Sequence, residues 1–118
     1  MSYSKNRTTF DTYCQVNIYK LKTTGGIIRE QRATKGLLLR QVAAQLNIDI
    51  AILSKIERGE RKATRLQITK LAEILELKKD DLIIQFLSEK IVYEIADEEL
   101  GLQILQESEK KYKQVKKI

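Results

Sequence analysis

The 118-residue chain has no histidine, no tryptophan and no proline, and Cys14 is its single cysteine. Each absence removes a chemistry. Without imidazole there is no Ser-His-Asp or Cys-His nucleophile system and no histidine metal ligand, and one thiol cannot assemble a Cys-type zinc site. No metal and no cofactor are expected. Paired carboxylates on an identifiable cleft and a phosphate-cradling glycine loop are also missing, so the expectation is that the protein is not an enzyme. Cys14 cannot close an intrachain disulfide, and nothing calls for an oxidising compartment. No apolar run approaches the ~18 residues of a membrane span, and residues 1–22 lack the apolar block of a signal peptide. A cytoplasmic protein with no membrane partner is expected. The length suits about one domain.

What is present is charge, unevenly placed. The net charge is +6. Residues 1–22 carry four basic and one acidic residue, and residues 23–65 carry nine against four. Residues 66–109 reverse the sign, with four basic against eleven acidic, and the last nine residues add five lysines. A basic front half joined to an acidic stretch suits an anionic partner at one end, most often nucleic acid. An ordinary solvated surface reads the same way on charge alone.

With proline absent, helices are interrupted only by glycines at 25, 26, 36, 59 and 101. Ile27 to Glu30 suit a first helix, with Thr24 as its candidate N-cap and Gly36 as its stop. Leu39, Val42, Ala43 and Leu46 repeat as one buried stripe of a short second helix. Asn47 follows, a residue that tolerates the left-handed backbone of a tight turn. Asp49 can cap a third helix that turns Leu53 and Ile56 inward and stops at Gly59. Thr64 caps a fourth, where Ile68, Leu71, Ala72 and Leu75 give the clearest amphipathic signal in the chain. Lys79, Asp80 and Asp81 begin a fifth, containing Leu82, Ile83, Phe86 and Leu87.

The two ends are extensions. From Phe86 onward no breaker precedes Gly101, and Leu87, Ile91 and Ile95 recur every four residues, which predicts a long helix with a dimer contact along it. Leu102, Leu105, Tyr112 and Val115 either continue that helix or form another after a bend near Gly101. Residues 10–19 alternate in the manner of a strand. A lone strand in a helical chain is either disordered or paired with its copy in a second subunit. The expected domains are an N-terminal arm at 1–23, a folded domain at 24–85, and a C-terminal helical extension at 86–118 for dimerisation or partner binding.

Two short helices joined by a tight turn and followed by a basic loop can place the second helix in a DNA major groove. The residues make the match specific. Ile28, Arg29 and Arg32 stand in the first helix and Val42-Ala43 in the second, while Ser54-Lys55-Ile56-Glu57-Arg58-Gly59 closes the third. Leu71-Ala72, Leu75 and Asp80-x-Leu82 follow at matching distances. Residues 28–82 thus resemble the Cro/CI-type helix-turn-helix family of phage repressors and xenobiotic-response-element-like regulators. The resemblance implies a five-helix lambda-repressor-like domain, so the expected fold class is all-α: that domain with the long C-terminal helical extension and the N-terminal arm, a short strand if ordered, read above. It also implies that the third helix reads base edges through Asp49, Ile50, Ala51, Ser54 and Lys55.

Their chemistry suits that role. Lys55 can donate to guanine O6 or N7, Ser54 can bond several bases or a phosphate, and Ile50 and Ala51 can pack on thymine methyls. Core burial is the alternative for Ile50, and helix capping for Asp49. Lys35, Arg40, Arg58, Arg61, Lys62 and Arg65 surround this helix in sequence and can neutralise phosphates, with Arg61 and Lys62 foremost. Glu57 is implied to pair internally with Arg32. Five departures stand out: Leu38 and Leu39 replace a Ser cap and a phosphate-binding Gln, Gln31 takes an apolar position, and Glu76 and Ala63 stand for a glycine and a proline.

The leading expectation is a sequence-specific transcription regulator that binds double-stranded DNA as a homodimer on an inverted repeat, with Leu87, Ile91 and Ile95 in the dimer contact. One alternative is a DNA-binding antitoxin whose C-terminal extension takes a protein partner. Another, favoured by Leu38 and Leu39, is a protein-interaction module that has lost DNA binding.

Overall fold

The computed structural model describes residues 23–117. Among the described residues all regular structure is helical: α1 (Thr24–Thr34), α2 (Leu39–Leu46), α3 (Ile50–Glu57), α4 (Arg65–Leu75), α5 (Lys79–Ile95) and α6 (Gly101–Lys116). The alternating segment 10–19 and Cys14 lie outside the described residues. The chain divides into two compact units, one ending at Phe86 and the other beginning at Leu87.

Each helix of the first unit has a local reason to begin and end. Thr23, rather than Thr24, caps α1: its Oγ1 accepts the Gly26 N–H at 3.0 Å, while Thr24 is buried in the first turn. A cap must keep an extended backbone, and Thr23 does so. The chain leaves α1 through Gly36, whose φ of +69° suits glycine. Leu38 precedes α2 and has no side-chain acceptor, so the cap is half made from the other side. Gln41 Oε1 accepts the Leu38 N–H at 2.7 Å. Asn47, at φ 61°, turns the chain out of α2. Asp49 occupies the N-cap position of α3, yet its carboxylate makes no capping bond. Its main-chain carbonyl accepts from Ile52 and Leu53 instead, at 3.1 and 3.2 Å.

At α4 the box is complete. Thr64 Oγ1 accepts the Gln67 N–H at 3.1 Å and Gln67 Oε1 accepts the Thr64 N–H at 2.9 Å. The buried apolar face of α4 is Ile68, Leu71, Ala72 and Leu75. It packs on α1 and α2, and α3 packs on the same two helices. Ile28, Val42, Ala43, Leu46, Leu53 and Ile56 complete that side of the core, with Leu82 and Phe86 added from α5. Burying such side chains contributes about 1.5–3 kcal/mol each, before the entropy of ordering them is subtracted.

The long helix expected from Phe86 stops at Ile95, although neither proline nor glycine stands there. Residues 96–100 are not helical, and α6 begins at Gly101 as a separate helix. Charge gives the physical reason. Asp97, Glu98 and Glu99 are unfavourable beside the negative C-terminal end of one helix and favourable beside the positive N-terminal end of the next.

Candidate nucleic-acid interface

α3 is only two turns long, so the orientation of each of its residues matters. One side is fixed inward by Leu53, Ile56 and Glu57, all buried. Positions 50, 51, 54 and 55 fall together on the other side of a 3.6-residue helix. Ile50 is 47% exposed, outside the core, and Ala51 and Lys55 are also exposed, while Ser54 is half-buried. Asp49 stands exposed at the start of the helix. An apolar pair, a hydroxyl and an ammonium therefore share one accessible face.

The inward side explains why α3 holds its place. Arg32 of α1 donates from Nε to Glu57 Oε2 at 2.7 Å and from Nη2 to Glu57 Oε1 at 3.1 Å. Its Nη1 donates to the Leu37 carbonyl at 3.0 Å. One guanidinium thus ties α1 to the last turn of α3 and to the loop entering α2. The bonds to Glu57, reinforced by its charge and opposed by burial, raise the Arg32 pKa above its ordinary value. Beside this pair, Gly25 lets the backbones touch: a Cβ there would collide with the carbonyl oxygens of Ile56 and Glu57. Gln31 adds a fastening between α1 and α4, its Nε2 donating to the Leu75 carbonyl at 2.9 Å. Its long amide lets a polar residue stand at a position where an apolar one was expected.

The cations expected at phosphates fall into two groups. Arg40 is exposed on α2, and Arg61, Lys62 and Arg65 are exposed in and after the loop that leaves α3. Ala63 is buried within this loop and pins it to the core. Lys35 and Arg58 make side-chain bonds to named partners within the chain. Lys35 pairs with Glu76, which adopts the left-handed backbone at φ 58°. Arg58 donates to Ser54 Oγ at 2.9 Å and clamps Glu60 from Nε and Nη2, each at 3.1 Å. Glu60 was not singled out by the sequence; its spacing of two from Arg58 was the available signal. Leu87, Ile91 and Ile95 lie in the second unit, where Ile91 is exposed and the other two are half-buried. No group of acidic or cysteine side chains able to hold a metal occurs among the described residues, and no described helix is long and apolar enough to cross a membrane.

The family described as Helix-turn-helix matches residues 28–82, from within α1 to the start of α5. Residues 28–82 are a Cro/CI-type helix-turn-helix domain. Its two defining helices are α2 and α3, turned one into the other at Asn47. Such a domain supports a DNA-binding regulator. Among solved structures, the restriction-modification controller protein C.AhdI from Aeromonas hydrophila is 31% identical, over 54% of this chain and 97% of its own, with a TM-score of 0.48. The clp gene regulator ClgR from Corynebacterium glutamicum matches in two structures. One is 25% identical over 58% of this chain and 88% of its own, at a TM-score of 0.49. The other, 23% identical over 77% and 86% respectively at 0.50, bears on the fold alone. Among curated proteins there is no significant match.

Proposed function

We propose that the protein is a sequence-specific transcription regulator that inserts α3 into the major groove of double-stranded DNA and acts as a homodimer on an inverted repeat. The observation that carries the reading is the accessible face of α3, with Ile50, Ala51, Ser54 and Lys55 turned away from the core and exposed cations in the loop that follows. Ile50 and Ala51 meet thymine methyls, and Lys55 donates to guanine O6 or N7. Arg40, Arg61, Lys62 and Arg65 neutralise phosphates and fix the register. A two-fold dimer matches two half-sites about one helical turn apart.

Selection of binding sites from random duplex DNA tests the reading. The expected result is an inverted repeat with a defined spacing. Lys55→Ala should relax base preference at one position per half-site without changing the salt dependence of affinity. Arg61→Ala and Lys62→Ala should instead weaken all sequences alike and each lower the salt slope by about one. Absence of any retarded complex at low salt overturns the DNA reading and favours the protein-interaction alternative, for which exposed Leu38 is the specific feature.

A further inference from the structure

Among the described helices, α6 alone buries no residue. A helix of 16 residues is close to the length at which isolated helices in water are marginal, about 12–15 residues, and most helical stability in proteins comes from packing one amphipathic face. α6 has such a face. Leu102, Leu105, Tyr112 and Val115 fall within a stripe of about 140° at ~100° per residue. Leu102 is 73% exposed, Tyr112 62% and Val115 63%. The intrahelical pairs Glu107–Lys111 and Glu109–Lys113, at 3.5 and 3.2 Å, are surface pairs of small effect.

The two ends of this stripe carry opposite charge. Glu94, Asp97, Glu98 and Glu99 lie just before α6, and Lys110, Lys111, Lys113, Lys116 and Lys117 lie along its last turns. An arrangement of acid, apolar and basic segments in that order is complementary to itself when reversed. We propose that α6 pairs with α6 of a second copy of this chain in the antiparallel sense, the acidic segment just before each helix lying against the lysine-rich end of its partner. A parallel pair would place like charges together at both ends. The antiparallel pair is isologous, with its two-fold axis crossing near the middle of the helix. Self-complementarity is what selects a second copy over an unrelated protein as the occupant of this face.

The inference rests on the homodimer part of the proposed function and is independent of DNA binding, so each can fail alone. The test uses the full chain with Cys14→Ser, which removes the native thiol. Leu102→Cys and Val115→Cys are introduced in separate preparations, one carrying a mass tag, then mixed and mildly oxidised. The expected product is a disulfide between positions 102 and 115 of different copies, in clear excess over 102–102 and 115–115. The reverse pattern, or dimers with no cross-link at these positions, overturns the proposal, as does a chain that stays monomeric at tens of micromolar.

A charge exchange gives the second readout. Glu98→Lys with Glu99→Lys should abolish self-association, and so should Lys116→Glu with Lys117→Glu, while mixing the two variants restores a heterodimer. These residues are exposed, so neither change threatens the folded core. Self-association of the unaltered chain should weaken as salt rises through the range where the Debye length falls below ~8 Å. Strengthening with salt would mean that like charges meet, and would overturn the antiparallel arrangement.

Discussion

Arg32 and Glu57 face each other in a two-point ion pair, Nε to Oε2 at 2.7 Å and Nη2 to Oε1 at 3.1 Å, with side chains only 17% and 5% exposed. The pair joins the helix that anchors the domain to the end of the helix that presents its candidate reading face. Removing either partner leaves a charge largely out of water. Arg32→Met or Glu57→Gln should therefore destabilise the fold by roughly 3–5 kcal/mol, while the double variant should lose less than the sum. Chemical denaturation of the four proteins of the cycle measures this. A coupling energy of zero would mean that the pair only decorates a contact made by packing.

Gly25 stands at the same junction and leads to a sharper contrast. Because a Cβ at this position meets backbone carbonyls rather than a movable side chain, Gly25→Ala must push α1 away from the last turn of α3. Its cost should be at least the ~1–3 kcal/mol typical of overpacking a well-filled site. Gly101→Ala is the control. There the added Cβ lies 3.7 Å from the Ile95 carbonyl oxygen, an ordinary contact, and alanine restricts the unfolded chain. That change should be neutral or stabilise by up to about 1 kcal/mol. Thermal melts that rank the two variants the other way would show that the α1–α3 approach does not limit the fold.

The surface pair Lys35–Glu76 predicts a pH effect of definite sign. The hydrogen bond from Lys35, helped by its positive charge, holds the Glu76 carboxyl below its ordinary value of 4.5. A carboxylate with a depressed pKa in the folded state contributes stability at pH above its unfolded value, and that contribution is lost as pH falls through the folded value. Wild type should therefore melt slightly above Lys35→Met at neutral pH, with the gap closing as the pH drops below 4.5. A gap of constant size from pH 7 to strongly acidic solution would reject the assignment. Because the Glu76 side chain is exposed, raised salt should narrow the gap as well.

These sites show where the sequence was legible and where it was not. The buried stripe of α4 could be read because Ile68, Leu71, Ala72 and Leu75 repeat at helical spacing, and the left-handed turn at Asn47 because asparagine tolerates it. Local competition was harder to read. Thr23 and Thr24 are chemically identical cap candidates, and only tertiary packing decides that Thr24 goes inside. The end of α5 has no breaker to announce it, since it arises from acids that suit the next helix better than the last. Gln41, Gln31 and Gly25 act through partners that are either too close in chain to look unusual or 44 and about 30 residues away. The exposure of Ile50 follows from Leu53 and Ile56 taking the inward side, and what that exposed side touches is a matter of partner chemistry that no contact within one chain records.

Arg58 supplies the last prediction, because it restricts what Ser54 can read. A hydroxyl has one hydrogen to donate and two lone pairs to accept with. Ser54 Oγ accepts the Arg58 Nη1 hydrogen at 2.9 Å, and Glu60 holds the guanidinium in place from its other edge. The Ser54 hydrogen is thereby directed away from Arg58, which favours base acceptors such as purine N7, guanine O6 or thymine O4 over the amino donors of adenine and cytosine. Arg58→Met should release the lone pair and broaden base preference at one half-site position. Glu60→Gln, which loosens the clamp and keeps the guanidinium, should broaden it less. Repeating the selection from random DNA with both variants checks this. If Arg58→Met only weakens binding uniformly and lowers the salt slope by about one, Arg58 acts on a phosphate and does not orient Ser54.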